Sequence, residues 1–146
     1  MDILELIQNK GTEYTRLEII EELYWSALGS ITENEMINIV KPYLMDSEGE
    51  DEYSAVQNLY SNPEGSYITL FEDVIMGLYN KNPYTFIRAV SSNPEIGMNV
   101  LYIFRNKAVF LESESIKKEL LVATDDIETK EMIESFFKYY ASICST

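Results

Sequence analysis

Apolar side chains recur at helical spacing along most of the chain. Ile68, Phe71, Val74, Ile75 and Leu78 fall three and four residues apart, the spacing of one stripe on a helix, and predict a helix over 66–80. Phe86, Ile87 and Val90 form a second such set, and Val100, Leu101 and Phe104 a third. Each of these last two follows an Asn-Pro pair, Asn82-Pro83 and Asn93-Pro94. Asn at the N-cap accepts a hydrogen bond from an orphaned backbone N–H, and Pro in the first turn has no N–H to leave unpaired. A short helix is therefore expected from Pro83 to about Ser91, and another from Pro94. Short joints force consecutive helices to pack. Residues 66–106 are read as the middle of the core, with Phe86 and Ile87 largely buried.

The pattern continues on both sides. Ile3, Leu4 and Ile7 predict a first short helix, closed by Lys10-Gly11. A second starts near Thr15, with Glu18 as the partner of a capping box, and runs through Leu17, Ile20, Leu23, Tyr24 and Leu28. A third starts at Thr32, where Glu35 completes another capping box, and Pro42 is expected to end or kink it. Asp46-Ser47-Glu48-Gly49-Glu50-Asp51-Glu52 puts five acids in seven residues and reads as an exposed loop, a soft boundary within one domain of 146 residues. A short helix follows through Tyr53, Val56, Leu59 and Tyr60. Beyond the centre, Ser113 or Ser115 can cap a helix bearing Ile116 and Leu120. Asp125 can start the last, through Met132, Ile133, Phe136, Phe137 and Tyr140. Only 101–111 offers an alternative of paired strands. The expected fold is all-α, a compact array of about six to eight short antiparallel helices in a single domain, with helical repeats an open variant.

Charge changes this picture more than composition does. The chain carries a net charge of −14, divided unevenly. Residues 1–73 hold 16 acids and 3 bases, and residues 74–146 hold 9 acids and 8 bases. A field of that sign repels phosphate backbones, so nucleic acid is not an expected partner; a basic protein surface or a metal ion is. No run approaches the roughly 18 apolar residues of a membrane span. Met1-Asp2-Ile3-Leu4-Glu5 carries acids where a secretory leader needs bases. With one cysteine, Cys144, no internal disulfide can form, and a reducing cytoplasmic setting is expected.

Much chemistry is excluded by what the chain lacks. It has no histidine, which removes Ser-His-Asp and Cys-His catalysis and the usual zinc sites. It has neither of the common glycine-rich phosphate motifs. Residues 46–57 fail the register of a calcium loop, because position 6 is Asp51 and position 12 is Gln57. No cofactor is expected. The 11 Tyr, 6 Phe and 1 Trp remain. Adjacent aromatics on a helix point about 100° apart, so one ring of Tyr24-Trp25 and one of Tyr139-Tyr140 tends to leave the core. Exposed Tyr and Trp serve well as binding anchors.

The expectation is a non-enzymatic protein-binding module that docks on a basic partner. Tyr24 and Trp25 would be its anchors, and Glu48, Glu50, Asp51 and Glu52 its charged contacts. In composition the chain is similar to bacterial immunity proteins, acidic helical inhibitors of cationic nuclease toxins; no motif carries that likeness. Two readings stand beside it. One is a carboxylate-dependent enzyme; the other is a self-associating structural subunit.

Overall fold

The computed structural model describes residues 3–8, 13–23, 31–60, 68–106 and 112–144. Nine helices occur among them: α1 (Ile3–Gln8), α2 (Arg16–Glu22), α3, α4 (Gly49–Tyr60), α5 (Ile68–Lys81), α6 (Pro83–Ser91), α7 (Pro94–Asn106), α8 (Ser113–Val122) and α9 (Ile127–Cys144). Helix α3 is a continuous run of three segments, Glu33–Glu35, Met36–Val40 and Lys41–Met45. No strand occurs among the described residues. Residues 101–106, half of the stretch that offered a strand alternative, are helical. The remainder, 107–111, lies outside the described residues.

The short Pro-capped helix α6 is the centre. The Asn82 side chain accepts from the Thr85 N–H at 3.2 Å, and Pro83 occupies the first turn. That start sets the phase of the helix, and the phase places Phe86, Ile87, Ala89 and Val90 inside. Helix α6 packs against α4, α5, α7 and α9. The Phe86 ring lies 6.4 Å from Tyr53 of α4, 5.7 Å from Tyr79 of α5 and 5.6 Å from Phe104 of α7. Phe104 in turn meets Phe136 of α9 at 6.3 Å. Phe86–Phe104 is tilted and the other three pairs are edge-on; edge-on pairs add roughly 0.5–1.5 kcal/mol beyond burial. Two tyrosine hydroxyls in the region find carbonyl acceptors, Tyr53 on Leu78 at 3.2 Å and Tyr84 on Leu120 at 3.0 Å. Side chains from all nine helices join one apolar cluster.

Both predicted capping boxes form. Thr15 and Glu18 exchange bonds at 3.1 and 3.0 Å, and Thr32 and Glu35 at 3.2 and 3.0 Å. Helix α2, however, stops at Glu22. Leu23 turns extended while its side chain stays buried. Acids at Glu21 and Glu22, with no base in the last turn, oppose the negative end of the helix dipole. Pro42 neither ends nor breaks α3. Residues 36–40 widen into a π turn in which the Lys41 N–H reaches the Met36 carbonyl, and the helix continues to Met45. A wider turn removes the strain of a proline against the carbonyl four residues back. Neither Ser113 nor Ser115 caps α8: Glu112 precedes it with no side-chain capping bond. At α9 the capping acid is Asp126, not Asp125, and accepts from the Thr129 N–H at 2.9 Å.

Candidate functional site

The acidic segment is not an exposed loop. Asp46, Ser47 and Glu48 make a short joint, and Gly49, at φ 79°, begins α4 directly. That left-handed conformation suits glycine because it has no Cβ. Two helix ends of opposite polarity therefore meet here, the negative end of α3 and the positive end of α4. Glu50, Asp51 and Glu52 fall in the first turn of α4, where carboxylates interact favourably with the dipole.

Cations from three other helices complete the junction. Arg16, on α2, donates from Nη2 to the Tyr43 carbonyl at 2.7 Å and from Nε to Glu52 at 3.0 Å. Its guanidinium lies over the Tyr43 ring, 4.1 Å from the centroid. Lys81, the last residue of α5, donates to the carbonyls of Ser47 at 2.9 Å and Met45 at 3.3 Å, and pairs with Glu48 at 3.5 Å. Arg88 of α6 pairs with Glu50 at 3.3 Å. It also reaches Asp126 at 3.3 Å, the Thr129 hydroxyl at 2.7 Å and Glu128 at 4.0 Å, at the start of α9. Glu52 further accepts from the Glu48 N–H at 3.2 Å.

These pairs differ in strength because they differ in contact with water. The Glu48 side chain is 80% exposed, whereas Glu52 is 21% exposed and Arg16 33%. Exposed pairs contribute roughly 0–1 kcal/mol. Arg16–Glu52, shielded and joined to a backbone carbonyl, is the firmest of the set. Burial pushes the Tyr43 phenol above its ordinary pKa, with the Arg16 charge acting against that rise and Glu52 adding to it.

Of the residues named as partner contacts, Glu48, Glu50 and Glu52 come together at this junction, each already bound to a cation of the same chain. Asp51 is exposed and has no ionic partner among the described residues. Tyr24 and Trp25 lie outside the described residues. Tyr139 and Tyr140 divide as expected, 58% and 6% exposed. In the acidic half, the large apolar side chains that face water among the described residues are Tyr14 and Ile37. Sequence reading passed over Arg16, Lys81 and Arg88. Arg16 did carry a signal, since a cation in the first turn of α2 opposes the dipole and implies a compensating acid. Lys81 and Arg88 carry none, because their partners are set by tertiary packing alone.

In the acidic half, the exposed acids with neither a cation nor a capping bond among the described residues are Glu5, Glu13, Glu21, Glu22, Glu33, Asp46 and Asp51; in the other half Glu112, Glu114, Glu119, Asp125 and Glu131 are likewise exposed and without a cation among those residues. No three or more His, Cys, Asp or Glu side chains among the described residues are grouped to hold a metal ion. No helix among them is long and apolar enough to cross a membrane.

Fold and site together define an all-α protein gathered around a short central helix, with an acidic junction held by its own cations. Compared with protein-family models, curated proteins and solved structures, the chain matches none.

Proposed function

We propose that this chain is a non-enzymatic protein-binding module, an inhibitor or immunity-type factor whose acidic half docks on a basic protein. The observation that carries the reading is the set of exposed acids in the acidic half that have neither a cation nor a capping bond among the described residues: Glu5, Glu13, Glu21, Glu22, Glu33, Asp46 and Asp51. Crowding like charges on a compact molecule destabilises it, so folding alone gives no reason for this surplus. A negative surface speeds encounter with a cationic partner, and apolar contacts then hold it. Tyr14 and Ile37, both exposed, would serve as such contacts together with the proposed anchors Tyr24 and Trp25. The same field disfavours nucleic acid. The reading sets the protein in a reducing cytoplasm, which its single cysteine supports.

The internal pairing changes which substitutions test this reading. Neutralising Glu48, Glu50, Asp51 and Glu52 together would take one carboxylate partner each from Arg16, Lys81 and Arg88, mixing stability with binding. The triple substitution Glu21→Gln, Glu22→Gln, Asp51→Asn removes charge without touching an ion pair among the described residues. Association kinetics with a basic protein captured at low salt provide the measurement. The on-rate should fall in the triple variant. It should also fall steeply between 0.01 and 0.15 M salt, as the Debye length shrinks from about 30 Å to about 8 Å. Replacing Trp25 or Tyr14 should instead raise the off-rate. An on-rate indifferent to both salt and the triple substitution overturns the reading.

A further inference from the structure

We draw no further inference here: the strongest candidate, the exposed apolar patch of Val122 and Ile127 at the turn between α8 and α9, carries nothing because nothing in the structure shows what covers it.

Discussion

Truncating Phe86 to alanine would empty a space that α4, α5, α6 and α7 share. The ring has no exposure, and its neighbours Tyr53, Tyr79 and Phe104 belong to three different helices, so no single movement can close the gap. Phe86→Ala should cost about 3–5 kcal/mol, read from the shift of a urea unfolding midpoint. A loss under about 1 kcal/mol, the level of surface changes, would show that α6 is peripheral. The burial of Phe86 and Ile87 was legible in the sequence because two local signals agree: the Asn-Pro start fixes the helical phase, and the apolar spacing matches it. Glu52 illustrates the opposite case. Its neighbours in sequence are acids, and its partner Arg16 lies 36 positions away. Seen locally it is one of five solvated charges; folded, it holds a guanidinium.

Helix starts have a pH dependence that belongs to whole elements. Glu18 and Glu35 sit below the ordinary glutamate range, chiefly because the backbone N–H of Thr15 and of Thr32 donates to them, with the threonine side chains second. Asp126 is lowered first by the Thr129 hydroxyl, then by the Thr129 N–H, with Arg88 contributing least. A carboxylate whose folded value lies below its unfolded one adds stability above the unfolded value, roughly pH 4. That stability is lost as pH falls through the folded value. Urea midpoints should therefore decline from about pH 4 downward. The combined variant Glu18→Gln, Glu35→Gln, Asp126→Asn should start lower at neutral pH and decline less. An equally steep decline in the variant would place the acid sensitivity in other groups. With no histidine, the side chain that ordinarily titrates between pH 5 and 8 is missing, so midpoints over that range should stay nearly level. Element starts were legible wherever a capping residue faces its own helix, as at Thr15, Thr32 and Asn82. Misplaced boundaries had local causes, as where Asp126 caps α9 in place of its neighbour Asp125, as well as distant ones. Leu23 leaves the helix yet stays in the core, and α4 begins early because its acids gain cations from α2, α5 and α6.

Charge on the whole molecule divides along the sequence but not through the fold. Lys81 and Arg88 come from the nearly neutral half, yet they neutralise Glu48 and Glu50 of the acidic half. The imbalance itself was legible from counting. Its partial cancellation was not, since that requires knowing that α5 and α6 end beside the start of α4. The whole chain still carries 25 acids against 11 bases, a net charge of −14, on one body. Salt acts here in two opposed ways, weakening the partly exposed pairs and screening the repulsion among surplus acids. The pairs are few and mostly exposed, so screening should win. The thermal midpoint is expected to rise between 0.01 and 0.15 M sodium chloride. A falling midpoint would mean that the internal pairs outweigh the repulsion.

The clasp around the start of α4 also bears on time. Arg16–Glu52, Lys81–Glu48 and Arg88–Glu50 each join residues more than thirty positions apart, and each closes only once both of its helices have docked. Contacts that form only after the transition state act on escape from the native state and not on the route into it. In stopped-flow chevrons, Glu52→Gln should steepen nothing and slow no refolding; its whole effect should be a faster unfolding limb. Slower refolding would mean that the junction belongs to the nucleus. If the clasp closes late, these three ion pairs lengthen the time a folded molecule survives before it opens, a contribution separate from those of the caps and the aromatic centre.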